Sequence, residues 1–236
     1  NIGMNVVLAV LLSLIISTFI GFLNGIIIAE LRMPALIVTF ASQTIFAGYA
    51  YIICGGVPIS RMPESFLKLG QGYVGPIPVP VIVMVVIFAI GTFILNKTYF
   101  GRYFYALGGN EEAALLSGIK IKVVKCLVYS LSGLFAGIAG LVMLARANTA
   151  QPNAGVGYEF DVITCVVLGG VSVNGGSGKM SNVIAGVLII GVLSNGMVLM
   201  NISSYMQMVI KGIILLLAVG ADCIQQMNLQ KTKAIA

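Results

Sequence analysis

The stretch GGVSVNGGSGKMS, residues 169–181, is the part of the chain whose residue types come closest to a phosphate-binding loop. A P-loop requires a glycine five positions before its Gly-Lys pair and a serine or threonine directly after that pair. Val173 occupies the first of these positions and Met180 the second, so the hydroxyl group that would hold magnesium is absent. We therefore interpret the stretch as a glycine-rich loop between buried segments and do not expect this chain to bind ATP.

Other side chains that could carry out catalysis or bind a metal are scarce. The chain contains no histidine, which removes the most common general base and the most common metal ligand. Its four cysteines are far apart and lack a CxxC or other metal-binding spacing. Glu159 and Asp161 are two residues apart, and such a pair would not share one face of a helix. We therefore predict no catalytic residues, no metal ligands and no cofactor bound by this chain.

The composition of the chain indicates a membrane protein. Of its 236 residues, 59% are hydrophobic and 8% are charged, whereas about 25% are charged in an ordinary soluble domain. No polar stretch is long enough to form a second, water-soluble domain, so we predict a single transmembrane domain over residues 1–236. The net charge of +6 does not indicate nucleic-acid binding, because the basic residues lie mainly in short gaps between apolar runs.

The apolar runs predict an all-α, polytopic helix bundle with about seven membrane spans. Most runs approach the roughly 20 residues that a helix needs to cross a bilayer. The fifth run is too short to span as an ordinary helix, so we predict a short or broken segment that its neighbours shelter. The predicted spans are residues 4–29, 34–54, 80–95, 123–145, 162–173, 183–200 and 205–219.

The basic residues predict the orientation of these spans. If the loop between the third and fourth spans is cytoplasmic, the cytoplasmic gaps hold nine lysines and arginines and the outer gaps hold three. Because cytoplasmic loops carry an excess of positive charge, this distribution places the C-terminus inside and Asn1 outside. An odd number of further spans would then precede Asn1 if the N-terminus of a longer protein is cytoplasmic.

Small residues predict where two helices pack closely. Gly21-x-x-x-Gly25 lies in the first predicted span, and Gly133-x-x-x-Gly137 lies in the fourth. Such spacings let two helix backbones approach each other within a membrane. They indicate a packed bundle and carry no information about the substrate.

The loop GRYFYALGGNEEAALLSGIKIKVVK, residues 101–125, is the most polar part of the chain. Asn110 is a favourable N-cap residue, and Glu111 and Glu112 follow it in the first turn, where the helix dipole favours acidic side chains. Gly118 is a favourable residue for ending the helix. Because a two-turn helix is not stable alone in water, either the rest of the bundle or a docking partner must hold it. A solvated loop with a helical kink is the alternative.

This loop resembles the cytoplasmic loop of the membrane permeases of bacterial sugar ABC importers, of the ribose, galactose and xylose type. The resemblance covers the whole chain and continues, in order, through VYSLSGLFAGIAGLV, TAQPNAGVGYEFDVITCVVLGGVSVNGGSGKM and SSYMQMVIKGIILLLAV. The combination of GGN-x-EAA-x-x-SGI with GYE-x-D-x-I, VLGG and GG-x-G is specific. Members of that family have around ten spans, so the resemblance implies that three spans precede this chain.

The resemblance implies the translocation subunit of an ATP-driven importer of a pentose or hexose, located in the bacterial inner membrane. It implies that separate ATPase subunits use ATP and magnesium and dock on residues 101–122, within a coupling loop of residues 97–125. The other implied partners are a second permease copy, identical or paralogous, and an extracytoplasmic sugar-binding protein. The residues implied to couple to the ATPase are Asn110, Glu111, Glu112, Ala113, Ala114, Ser117 and Gly118.

Polar residues in or beside the spans are candidates for the sugar path, because burying them in a membrane is costly. Uncharged sugars are recognised by hydrogen-bonding groups and aromatic faces in a concave site. An asparagine or glutamine in a span can instead bond to a neighbouring helix. The candidates are Asn24, Gln43, Thr44, Asn195, Tyr205 and Gln207.

Four residues near the last spans require separate interpretation. Tyr158, Glu159 and Asp161 lie at the start of the short fifth span, and we predict that they anchor an outer loop on which the binding protein docks. Lys211 lies about seven residues into the last span. It could extend towards an interface, pair with a carboxylate or face the pore, and we expect a structural, paired role.

The alternative function is that of an ion-coupled secondary transporter, or a channel, for a small polar solute. Secondary transporters usually carry an intramembrane acidic or basic residue for ion coupling. Lys211 is the only such residue deep in a predicted span, which counts against this alternative. An intramembrane enzyme is disfavoured because the chain has no histidine and no serine in a recognisable nucleophile context.

Overall fold

The computed structural model describes residues 5–173 and 175–235, and it describes side chains up to residue 224. Within these residues the chain forms ten helices and four two-residue strands. The helices are α1 (Val6–Leu31), α2 (Ala35–Cys54), α3 (Glu64–Gln71), α4 (Val79–Lys97), α5 (Tyr99–Gly109), α6 (Glu111–Leu116), α7 (Ile121–Ala147), α8 (Tyr158–Leu168), α9 (Met180–Leu199) and α10 (Ser204–Ile235). The strands are β1 (Ile59–Ser60), β2 (Tyr73–Val74), β3 (Ile77–Pro78) and β4 (Thr149–Ala150).

The predicted all-α, polytopic architecture is confirmed. Among the described residues, six helices are long and apolar enough to cross a membrane, namely α1, α2, α4, α7, α9 and the Ser204–Ile224 part of α10. The remaining predicted segment corresponds to the shorter α8. Long apolar runs leave few alternatives to a helix in a bilayer, because every backbone polar group must be satisfied within the segment.

Helix α8 corrects the boundaries of the fifth predicted segment. It begins four residues earlier and ends five residues earlier than predicted. Glu159 and Asp161 lie in its first turn, where the helix dipole stabilises acidic side chains. Beyond its last residue, Gly170 has a φ of 73°, a conformation that commonly ends helices. The apolar residues 171–173 therefore lie outside the helix.

The chain divides into two compact units. The first comprises Asn1–Phe104 and Glu112–Ala154, and the second comprises Tyr105–Glu111 and Gly155–Ala236. The division therefore passes through the predicted coupling loop. The single transmembrane domain predicted from composition stays a prediction.

In the first unit, α1 and α7 pack closely along each other. A Cβ atom at Gly21 would collide with the backbone of Tyr129, and one at Gly25 would lie 2.7 Å from the Cα of Cys126. A Cβ at Gly133 would in turn collide with the backbone carbonyl of Ser17. The two GxxxG motifs therefore lie at one helix–helix contact, as their small-residue spacing predicts.

Contacts at the two ends of the first unit agree with the predicted alternation of the spans. At one end, β1 and β4 form an antiparallel pair with Ile59 opposite Ala150, which joins the loop after α2 to the loop after α7. At the other end, Glu30 and Lys122 form an ion pair of 2.6 Å between the end of α1 and the start of α7. Each contact joins two loops that the charge distribution assigns to the same side.

Candidate functional site

The predicted coupling helix is α6, and its end is fixed by a Schellman motif. Gly118 has a φ of 82°. Its N–H donates to the carbonyl of Leu115 at 3.0 Å, and the N–H of Ile119 donates to the carbonyl of Ala114 at 3.1 Å. These two bonds around a left-handed glycine define the motif. The prediction that the helix ends at Gly118 is confirmed, and a residue with a Cβ would adopt this φ only with strain.

The start of α6 follows α5 almost directly. The backbone N–H of Asn110 donates to the carbonyl of Ala106 at 3.1 Å, so the hydrogen bonding of α5 continues to the residue before α6. Glu111 and Glu112 are exposed and are the first two residues of the helix, as predicted. The N-cap role of the Asn110 side chain stays a prediction.

One side of α6 exposes large apolar side chains. Leu115 is 61% exposed and Leu116 is 88% exposed, whereas Ala114 is buried. The hydroxyl of Ser117 donates to the carbonyl of Ala113 at 2.8 Å, which satisfies it within the helix end. These two leucines are exposed in the most polar loop of the chain, and docking of a partner on them stays a prediction.

The glycine-rich loop, residues 169–173 and 175–179, contacts the end of α5 within the second unit. A Cβ atom at Gly108 would lie 2.5 Å from the backbone nitrogen of Gly176, so the two backbones touch without room for a side chain. The hydroxyl of Tyr105 donates to the carbonyl of Gly178 at 3.0 Å. No nucleotide site was predicted in the glycine-rich loop, and its contact with α5 was not predicted either. The glycine pairs 108–109 and 175–176 were the only sequence signal for it.

Helix α8 is long enough to cross only about half of a membrane. At about 1.5 Å per residue its length is about 16 Å, whereas the hydrocarbon core is about 30 Å thick. A Cβ at Gly186 would collide with the carbonyl of Cys165, and one at Gly169 would lie 2.6 Å from the carbonyl of Asn182. The C-terminal half of α8 therefore lies beside the first turns of α9. The segment before α8 forms turns that include Gly157, with a φ of 91°.

An ion pair joins α8 to α10. The ammonium of Lys211 lies 2.6 Å from Oδ2 of Asp161, and about a quarter of each side chain is exposed (26% and 27%). Lys211 lies seven residues after Ser204, the first residue of α10, and therefore about 10 Å along the helix. The expected paired role of Lys211 is confirmed.

Among the described residues, no group of three or more His, Cys, Asp or Glu side chains could hold a metal ion.

The three residues predicted to form an outer docking loop have different surroundings. Tyr158 is 56% exposed. The carboxylate of Glu159 accepts a bond from the backbone N–H of Gly157 at 3.0 Å, and Asp161 pairs with Lys211. Both carboxylates thus interact within the chain, and docking of a binding protein on these residues stays a prediction.

Of the residues predicted to line the sugar path, three lie in the first unit. The side-chain oxygen of Asn24 accepts a hydrogen bond from the hydroxyl of Ser42, which links α1 to α2. Thr44 donates to the carbonyl of Phe40 in its own helix at 3.0 Å. Gln43 is exposed. The bond from Ser42 to another helix was not predicted, because a serine in a span often bonds only to its own helix backbone.

The other three lie in the second unit. Asn195 is exposed, and Tyr205 is 83% exposed. Gln207 donates from its amide to the carbonyl of Ile202 at 2.8 Å. It precedes Lys211 by four residues and therefore lies on the same face of α10. The structure brings Gln207 and Lys211 together on one helix face, and the role of all six residues in the sugar path stays a prediction.

The chain is similar to known membrane permeases. The family described as "Branched-chain amino acid transport system / permease component" matches residues 1–219. The ribose import permease protein of Bacillus subtilis is 46% identical over 93% of this chain, which covers 69% of that protein. The ribose import permease protein of Escherichia coli is 41% identical over 94% of this chain, with 70% of that protein covered. The L-arabinose transport system permease protein of Escherichia coli is 45% identical over 86%, with 62% covered. No solved structure matches the chain.

The family match extends over nearly the whole chain, including the membrane helices and the loop that carries α6. Permease components are transport subunits rather than enzymes, in agreement with the prediction that this chain is not an enzyme. The chain therefore belongs to the family of branched-chain amino acid transport system permease components and is a multi-pass membrane permease.

Proposed function

We propose that this chain is the translocation subunit of an ATP-driven importer that moves a monosaccharide across the cytoplasmic membrane by alternating access. The observation that carries the proposal is the 46% identity to a ribose import permease over 93% of the chain. The ribose and arabinose permeases among its relatives favour a pentose as the substrate. The chain performs no covalent chemistry. It requires two helix packings that are close in energy, so that the sugar is exposed to one side at a time.

We further propose that separate ATPase subunits dock on α6 and supply the ATP and magnesium. The exposed Leu115 and Leu116 offer an apolar contact surface, and the exposed Glu112 offers an acidic group for a basic residue of a partner. The Schellman motif at Gly118 fixes the end of the helix. A short helix that is held at both ends transmits a displacement without bending, which is the property that energy coupling requires.

The proposed assembly contains two further proteins. An extracytoplasmic binding protein would deliver the sugar, and a second permease copy, identical or paralogous, would complete the path. We propose that α6 and the C-terminus are cytoplasmic, because the gaps on that side of the predicted spans hold nine lysines and arginines and the gaps on the other side hold three. Asn195, Tyr205 and Gln207 are the proposed path residues of the second unit, whereas Lys211 has a structural role as the partner of Asp161.

The proposed function predicts sugar uptake that depends on ATP. The permease would be expressed in its full-length form together with the ABC-type ATPases and sugar-binding proteins of the same organism, purified through a tag on the permease, and reconstituted into liposomes. We expect the ATPase to co-purify and labelled ribose or arabinose to accumulate only with ATP. Accumulation driven by a proton or sodium gradient without ATP would instead establish the secondary transporter.

The docking surface can be tested with Leu116→Asp, which places a charge at a side chain that is 88% exposed. We expect this variant to insert normally and to lose the co-purifying ATPase, because an apolar contact is replaced by a carboxylate that must be desolvated. Val74→Asp is the matched control, because Val74 is 62% exposed in a loop assigned to the opposite side. Equal ATPase recovery from both variants would contradict docking on α6.

A further inference from the structure

The contact between α5 and the glycine-rich loop has no role in the proposed docking of an ATPase on α6. It is a direct backbone contact, since the carbonyl oxygen of Gly108 would lie 3.1 Å from a Cβ at Gly175. Gly175 and Gly176 have φ values of 87° and 75°, which residues with a Cβ rarely adopt. Both the space and the conformation at this contact therefore require glycine.

The contact lies directly beside the coupling helix. Gly108 is three residues before Glu111, the first residue of α6, and the hydroxyl of Tyr105 holds the same turn of α5 to Gly178. Only Gly109 and Asn110 separate this contact from the start of α6, so a displacement there reaches the glycine-rich loop through two residues of backbone.

The glycine-rich loop is connected to α8, α9 and α10, the three helices that follow residue 155. It begins directly after the end of α8 and continues into the start of α9 at Met180. The backbone N–H of Val173 donates to a carboxylate oxygen of Asp222 in α10 at 3.3 Å. A bond from the N–H of Ser172 to the carbonyl of Ser177 at 3.2 Å closes the loop on itself.

We propose that the glycine-rich loop transmits the displacement of α6 to α8, α9 and α10, and that Gly108, Gly176 and Tyr105 are its positioning residues. The inference rests on the proposed function, in which an ATPase moves α6. Side-chain contacts absorb small displacements by changing rotamers, whereas two backbones in contact have no rotamers to change. Close packing of this kind turns small shifts into movements of whole elements.

Two adjacent glycines of α5 provide a matched test. Gly108→Ala adds a methyl group that collides with Gly176, whereas a Cβ at Gly109 would meet no atom within 4 Å, although its backbone also touches the loop. Gly108→Ala and Gly109→Ala would each be assayed in the complete reconstituted transporter. The readouts are the ATPase bound per permease, the rate of ATP hydrolysis and the sugar transported per ATP hydrolysed.

We expect Gly108→Ala to bind the ATPase and hydrolyse ATP as the unmodified protein does, and to transport at least about fivefold less sugar per ATP. Fivefold is the lower end of typical coupling between sites. For Gly109→Ala, the sugar transported per ATP should stay within about twofold of the value for the unmodified protein. Equal sugar per ATP in the two alanine variants would overturn the role of the glycine-rich loop.

Tyr105→Phe decides the question if Gly108→Ala fails to fold, because it removes one hydrogen bond to Gly178 without adding volume. A lower ratio of sugar to ATP in Tyr105→Phe supports transmission, and an unchanged ratio overturns it. A different result is expected if the proposed function itself is wrong. The unmodified permease would then show no co-purifying ATPase and no ATP-dependent uptake. In that case both proposals fall.

Discussion

At the level of single residues, the ion pair of Asp161 and Lys211 joins two helices among the described residues of the second unit. A charged residue in a membrane span is destabilising unless it is paired or hydrated. Their separation of 2.6 Å satisfies both charges, and the quarter exposure of each side chain leaves them partly hydrated. Removing one partner leaves the other charge uncompensated, whereas removing both is often nearly neutral.

We predict that Asp161→Asn and Lys211→Met each lower the free energy of unfolding by about 1–3 kcal/mol, which is less than the full penalty for a buried pair because both groups are partly exposed. The exchange of charges, Asp161→Lys with Lys211→Asp, should recover most of the loss. Thermal unfolding in detergent measures the effect. Glu30→Gln, at a more exposed ion pair, is the control and should change stability little. A charge exchange no more stable than the single variants would contradict the prediction.

At the scale of elements, the long apolar helices were predictable and the short polar elements were not. A long apolar run such as that of α1 is stable in lipid only as a helix. The existence and approximate limits of that helix therefore follow from composition. Helix α3 and the pairing of β1 with β4 were missed. The pair joins Ser60 to Thr149, which are 89 residues apart in the chain, and two-residue strands carry no periodic signal.

The contact between α1 and α7 predicts a matched difference in stability. Gly21→Ala places a methyl group against the backbone of Tyr129, whereas a Cβ at Gly48 in α2 would meet nothing within 4 Å. We expect Gly21→Ala to lower stability by about 1–3 kcal/mol through overpacking. Gly48→Ala should be neutral or slightly stabilising, because alanine favours a helix over glycine. Thermal unfolding of the two variants in the same detergent measures the difference, and equal melting temperatures would count against close packing here.

The end of α6 predicts a second effect at this scale. Gly118→Val forces a β-branched residue into a left-handed conformation, at about 1–2 kcal/mol, and should release the helix end. We expect sugar uptake to fall severalfold while the amount of permease in the membrane is unchanged. Ala113→Pro should also lower uptake, because it removes a first-turn N–H that the predicted Asn110 cap would satisfy. Gly118→Asn is the control, since asparagine tolerates this conformation. Full uptake by Gly118→Val would argue against a coupling role for α6.

At the scale of the whole molecule, composition alone identified the class of protein, and the order of motifs identified its relatives. The candidate site was only partly predictable. The coupling loop, its helix α6 and the end of that helix at Gly118 were all predicted from residue types. The contact of Gly108 with Gly176 was not, because backbone contacts between glycines leave no side-chain pattern. The partner of Lys211 was also not predictable, since Asp161 is 50 residues away in the chain and the sequence does not show which carboxylate lies beside Lys211 in the fold.

The predicted orientation can be tested on the full-length permease after its native cysteines are replaced. Glu112→Cys and Val74→Cys each introduce one thiol into a loop, on opposite sides according to the charge distribution. We expect a membrane-impermeant maleimide to label Val74→Cys in intact spheroplasts and Glu112→Cys only in inside-out vesicles. The opposite pattern would contradict the orientation and the access of a cytoplasmic ATPase to α6.

The short length of α8 also constrains how the chain enters the membrane. A segment of eleven residues with two acidic groups in its first turn is a poor candidate for independent partitioning into lipid. We expect α8 to leave the insertion machinery together with α9 and α10, because α9 packs against it and Lys211 of α10 neutralises Asp161.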